Sequence, residues 1–315
     1  MKRSAHLIDP ELKAYADSLP DGGLTREVLP YVIELLGNQI RPLPEDLPLT
    51  VSEKFVPGPE GAPEVRVLVF TPTNTSTPRP GYLYIHGGGM VMGSPEADQV
   101  DTAEMAVALG CSIVSVDYRL APQTRHPGPI EDCYAALFWM YNHAEELGID
   151  PNRIAIGGES AGGGLAASLS LLARDRGEVP IIFQRIAAPM LDDRTCIAEP
   201  HPYNGEYMWT AESNRFGWTS YLGHEPGIDG VSYYASASRA EDLTRLPATF
   251  ITVGALDLFL DESMEYAQRL IRAGVPTELH VYPGAFHGSP AVNDARISKN
   301  EQQARFDALH RAFYG

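Results

Sequence analysis

The chain has 315 residues, 44% of them hydrophobic and 21% charged, which is the make-up of an ordinary folded domain able to bury a sizeable core. Its formal net charge of -17 argues against nucleic-acid backbones and anionic membrane surfaces as partners. Three scattered cysteines, Cys111, Cys133 and Cys196, have no Cys-x-x-Cys spacing, which disfavours a disulfide framework and a structural zinc site. With no signal-peptide core and no apolar run of about eighteen residues, the expectation is a cytoplasmic protein.

In chain order, residues 1–50 read as helical and proline-punctuated, followed by an edge strand near 52–57. Short apolar runs then alternate with longer helical patterns. Strands are expected at 64–70, 81–86, 112–118, 153–158, 181–189, 248–255 and 277–283, and helices at 97–109, 129–147, 161–175, 261–273 and 299–313. That rhythm predicts an α/β fold, a mostly parallel sheet of about eight strands flanked by helices. Residues 194–246, which hold the aromatic-rich "EYMWTAESNRFGWTSYLG", break the rhythm between two strands. The expected organisation is a sheet-bearing domain of 51–193 and 247–315, with 1–50 and 194–246 lying over the carboxyl ends of the strands, where open parallel sheets bind ligands.

The strongest chemical signal is "GGESAGGG", residues 157–164, which carries Gly-x-Ser-x-Gly directly after a strand and directly before a helix. A serine on such a turn is strained and exposes its hydroxyl, and the flanking glycines keep side chains out of the turn. Ser160 is therefore the candidate nucleophile. Attack on an acyl carbon creates an oxyanion that preorganised N–H donors must meet, each worth roughly 3 kcal/mol or more. The glycines of "HGGGM", residues 86–90, let backbone come that close, so the amides of Gly88 and Gly89, with that of Ala161, are the expected oxyanion hole. His86 is read as a brace for this loop.

The base and its orienting acid should follow the serine in the order Ser, Asp or Glu, His. Of the later histidines, His280 falls inside a strand and His310 in a terminal helix, whereas His287 lies in "YPGAFHG", just beyond the last strand. For the acid, Asp257 directly follows the strand 248–255. Asp192 and Asp193 also follow a strand, and Asp261 reads as the N-cap of the next helix. The assignment is Ser160, Asp257 and His287.

Taken together, "HGGGM" (86–90), "VDYRLAP" (116–122), "GESAGGG" (158–164), "ALDLFLDE" (255–262) and "FHG" (286–288) resemble the hormone-sensitive-lipase-like esterases, bacterial family IV, of the α/β-hydrolase superfamily. The resemblance covers nearly the whole chain and implies the α/β-hydrolase fold, with segments 1–50 and 194–246 as a helical cap. It also implies that Asp117, Tyr118 and Arg119 brace the loops. The chain departs from the family pattern at Met90, where relatives usually carry an aromatic ring, and at Glu159, where they carry aspartate or threonine. It also reads "LAPQTRHPGP" where they read "LAPEHPFP".

The expected activity is a carboxylesterase hydrolysing short- to medium-chain acyl esters through an acyl-enzyme, with no metal or organic cofactor. Met90, Glu159, Trp209 and Trp218 are the candidate substrate-binding residues, although cap aromatics more often pack their own core. The partner is a small-molecule ester, and the reading leaves room for a homodimer. Two alternatives stand beside it. One is a hydrolase of the same fold acting on an amide, lactone or carbamate. The other is a non-catalytic small-molecule receptor, as in plant gibberellin receptors, which resemble these esterases but lack the catalytic histidine; His287 argues against it.

Overall fold

A computed structural model describes residues 2–199 and 201–315. Its centre is one eight-stranded sheet: β1 (Leu49–Val56), β2 (Val65–Pro72), β3 (Arg79–Ile85), β4 (Ser112–Asp117), β5 (Ile149–Glu159), β6 (Phe183–Ala187), β7 (Ala248–Gly254) and β8 (Thr277–Tyr282). The spatial order is β1-β2-β4-β3-β5-β6-β7-β8. β2 pairs antiparallel with both β1 and β4, and every other neighbouring pair is parallel. The expected mostly parallel sheet is thus present, and β1 begins slightly before the expected edge strand.

Helices cover both faces. α3 (Gln99–Leu109) and α8 (Arg296–Tyr314) pack on one, around a core of Phe70, Tyr82, Ile113, Phe250 and Leu309. α4 (Gly128–Asn142), α5 (Ala161–Arg176) and α7 (Leu260–Arg272) pack on the other, around Leu83, Ile85, Val114, Ile156 and Leu169. Two-sided burial explains why the central strands read as continuous apolar runs instead of alternating ones. α7 shows the ordinary amphipathic spacing, turning Ser263, Tyr266, Ala267 and Leu270 inward. α5 is buried along thirteen consecutive residues, Ala161 to Ala173. Its small residues permit this: a side chain at Gly162 would overlap the carbonyls of Ile85 and His86, and one at Gly164 that of Met190.

The remaining helices, α1 (Lys13–Ser18), α2 (Leu29–Gly37) and α6 (Ala211–Leu222), belong to the two segments that broke the strand and helix rhythm. α6 is delimited by local chemistry, with the Thr210 hydroxyl accepting from the Ser213 amide and Gly223 at φ 79° ending it. The segments are tied to each other: the amides of Arg3 and Ser4 donate to Glu206, and that of Leu24 to Ser213 Oγ. Ile8, Leu12 and Ala16 bury against Tyr207 and against Ala285 and Phe286, beside the loop that follows β8. α2 has no fully buried residue. It packs Leu29 and Val32 on the core and leaves Tyr31, Ile33 and Leu35 exposed.

Candidate active site

The ends of β3, β5, β7 and β8 converge at one edge of the sheet. Ser160 follows β5 immediately and caps α5 with φ 55° and ψ -120°, a left-handed-side conformation that a residue with a Cβ adopts only under constraint. Three backbone bonds impose it: the Ser160 amide donates to Ala187 O at 2.9 Å, and its carbonyl accepts from Gly164 and Met190 at 3.0 Å each. Side chains at Gly158 or Gly162 would overlap backbone at this turn, so the glycines of the motif are required sterically.

The loop after β7 brings in Asp257, and the loop after β8 brings in His287. His287 Nε2 lies 3.0 Å from Ser160 Oγ, and His287 Nδ1 lies 2.9 Å from Asp257 Oδ2. The other carboxylate oxygen of Asp257 accepts the Phe259 amide at 2.9 Å, which fixes the carboxylate plane. All three residues are buried, Asp257 almost completely. Phe259 stands edge-on to the imidazole with ring centroids 5.3 Å apart. In the neutral state the serine hydroxyl donates to Nε2, and Nδ1–H donates to the carboxylate.

The competing residues are engaged elsewhere. Asp193 is fully buried and bonded to Arg239 and the Gly227 amide, and Asp192 accepts from Arg194. Asp261 is exposed within the first turn of α7, whose N-cap position is taken by Phe259 instead. Glu262 is buried and accepts from the Leu191 amide and from Thr195; burial pushes its carboxyl well above the usual range. His280 lies on β8 against Glu278, and His310 lies on α8 against Tyr314.

The loop "HGGGM" runs alongside the serine. A Cβ at Gly87 would stand 3.5 Å from Ser160 Cβ and 3.1 Å from the Glu159 carbonyl. Gly88 and Gly89 take φ 112° and 61°, a region that glycine enters without the steric cost a Cβ would bring. Among the described residues, no protein acceptor meets the amides of Gly88, Gly89 or Ala161, the last being the first residue of α5.

The expected brace is visible. His86 Nδ1 lies 2.7 Å from Gly87 O, and its ring stacks on Tyr118 at 4.3 Å. Burial lowers its pKa, which favours the neutral ring. Tyr118 Oη donates to His86 O at 3.0 Å, and the Ala121 amide donates to Met90 O at 2.8 Å. Asp117 pairs with Arg66, and Arg119 makes a bidentate pair with the buried Asp132.

The four candidate substrate-binding residues take different places. Trp209 is at the site: its ring fills the space a side chain at Gly89 would need, and its centroid lies 6.2 Å from that of His287. Met90 and Trp218 are fully buried in the core and present no surface to a ligand. The Glu159 carboxylate is taken by Arg185 at 2.8 Å and Arg305 at 3.2 Å. Gly217 was not singled out from the sequence, yet it packs against the Gly89 carbonyl and lets α6 reach the oxyanion loop. A glycine in the middle of a helix is the signal that marks such a close approach.

Among the described residues no helix is long and apolar enough to cross a membrane. Residues 82–291 match the family described as alpha/beta hydrolase fold. Esterase LipI of Mycobacterium tuberculosis is 32% identical over 302 residues, spanning 89% of this chain and 87% of that protein. Carboxylesterase NlhH of the same organism is 35% identical over 289 residues, spanning 89% and 88%. Among solved structures, a bacterial heroin esterase superposes with a TM-score of 0.92 at 42% identity, covering 98% of this chain and 99% of that one. The chain belongs to the alpha/beta hydrolase fold family, in its hormone-sensitive-lipase-like branch.

Proposed function

We propose that this chain, a carboxylic ester hydrolase of that family, turns over small-molecule esters through an acyl-enzyme on Ser160. The observation that carries the reading is the continuous chain Ser160 Oγ, His287, Asp257, with both links inside hydrogen-bond range before any substrate is bound. His287 takes the serine proton as Oγ attacks the ester carbonyl. Asp257 holds the imidazole in the reactive tautomer and stabilises the imidazolium. The developing oxyanion meets the amides of Gly88, Gly89 and Ala161. His287 then gives its proton to the leaving alcohol, activates a water, and the acid departs as the serine is restored.

The chemistry would serve any acyl donor, so specificity rests on what lies over the serine. Segments 1–50 and 194–246 act as the cap in this reading. Support comes from Trp209 and Gly217 against the oxyanion loop and from Ile8 and Leu12 against the loop that bears His287. A covered site of limited depth favours acyl groups of about two to eight carbons. A panel of nitrophenyl esters of graded chain length, with a matched anilide and a lactone, tests this directly. Turnover confined to the shorter esters supports it, and a preference for the anilide or the lactone moves the function to another acyl class.

A further inference from the structure

Immediately before the nucleophile sits a charged residue that the triad mechanism does not use. Glu159 Oε1 accepts from Arg185 Nη2 on the neighbouring strand β6 and from Arg305 Nη1 on α8. Arg185 has only 2% of its side chain exposed, and its Nε and Nη1 have no partner among the described residues. A guanidinium this buried costs several kcal/mol in desolvation unless it is paired, and an apolar side chain of similar size would fill the space without that cost. Among the described residues its charge partner is Glu159, whose peptide leads into Ser160. The Glu159 carbonyl faces Gly87 of the oxyanion loop on the other side. A rotation of the 159–160 peptide would therefore displace the serine hydroxyl and the oxyanion loop together.

We propose that Glu159 is a positioning residue for the ester hydrolysis above, clamped from two directions by Arg185 and Arg305, so that the strained turn at Ser160 is held in register only while α8 is docked. The inference rests on the Ser160 reading and adds a role for the C-terminal helix. Other charged groups complete the surroundings. Asp98 accepts from Tyr84 Oη at 2.9 Å, and Glu301 of α8 accepts from Thr252 at 2.8 Å. Burial pushes both carboxyls up, opposed at Glu301 by the Thr252 bond and by both guanidiniums. Arg185 and then Arg305 hold the partly exposed Glu159 carboxyl below the usual range as an anion. His287 itself faces Asp257, Ser160, Trp209 and Phe259, and the Glu159 charge acts on it from the β5 side.

The test compares Glu159→Gln, Arg305→Gln and the double variant with Arg311→Gln, which removes another α8 ion pair, to Glu278, away from the turn. Glu159→Gln and Arg305→Gln should each lower kcat about tenfold with KM nearly unchanged, and the double variant should fall little further because both changes open one clamp. Arg311→Gln should keep wild-type kcat. The acid limb of the pH–rate profile should move to lower pH in Glu159→Gln, which removes an anion that favours imidazolium, and to higher pH in Arg305→Gln, which unmasks that anion. Should Glu159→Gln fail to fold, Arg305→Gln carries the test, since its loss leaves Glu159 paired with Arg185. Wild-type kcat in Arg305→Gln, or equal losses in Arg305→Gln and Arg311→Gln, overturns the clamp. Activity surviving in Ser160→Ala would instead overturn the serine reading, so the two failures are distinguishable.

Discussion

The Trp209 ring occupies the volume that a side chain on Gly89 would need, so the segment that carries α6 and the 86–90 loop interlock there. Gly89 also sits at φ 61°, where an L-residue costs roughly 1–2 kcal/mol. Gly89→Ala should therefore displace either the ring or the amide beside the oxyanion. The expected loss in kcat is about a hundredfold, the scale of one lost oxyanion donor. Adding Trp209→Ala to Gly89→Ala should recover part of that loss, and kinetics on the two variants would show it. No recovery would mean that backbone strain alone accounts for the loss.

The carboxylate assignment separates two aspartates four residues apart. Asp257→Asn keeps the Phe259 amide bond but loses the acceptor that selects the His287 tautomer, so kcat should fall by about four orders of magnitude. Asp261→Asn, exposed in the first turn of α7, should change kcat little. Steady-state kinetics on the pair decides between them, and the reverse ranking would contradict the assignment.

Legibility in the sequence differs from element to element. The strands and the meeting of Ser160, Asp257 and His287 were legible because strand-to-helix and strand-to-loop junctions leave local marks: glycines around Ser160, and Asp257 and His287 each just past an apolar run. The surroundings of Glu159 were not, because Arg185 and Arg305 lie 26 and 146 positions away and nothing local in either pairs it with Glu159. Trp209 and Trp218 looked alike as members of one aromatic segment. Only the packing of α6 puts the first against Gly89 and the second in the core. Met90 reads as a pocket residue from its place after the glycines, whereas its side chain is fully buried in the core.

Asp98 gives a pH signature in stability. Burial, then repulsion from Glu159, pushes its carboxyl up to about 7. Between the ordinary aspartate range and about pH 7 the folded state holds a proton that the unfolded chain has released, so stability falls as pH rises through that window and is level above it. Asp98→Asn removes this dependence and can still accept from Tyr84. Its Tm should exceed that of the wild type at pH 8 and converge on it near pH 4. Parallel Tm profiles for the two proteins would refute the assignment.

Acyl transfer needs neutral His287, so activity should fall on the acid side and stay level on the alkaline side. Burial lowers the pKa of His86, which disfavours its charged form. His86→Asn, which retains a donor to the Gly87 carbonyl, should lower kcat without moving the midpoint of the profile. A shifted midpoint would make His86 part of the proton transfer.

The most direct measurement is covalent trapping at the serine. A fluorophosphonate ester should add one adduct to the wild-type protein, located by peptide mass spectrometry on Ser160, and abolish ester turnover in proportion to labelling. Ser160→Ala should fold with wild-type Tm, take no label and show no turnover above background. A folded Ser160→Ala protein that still hydrolyses esters, or a label on any other residue that accounts for the lost activity, would contradict the account.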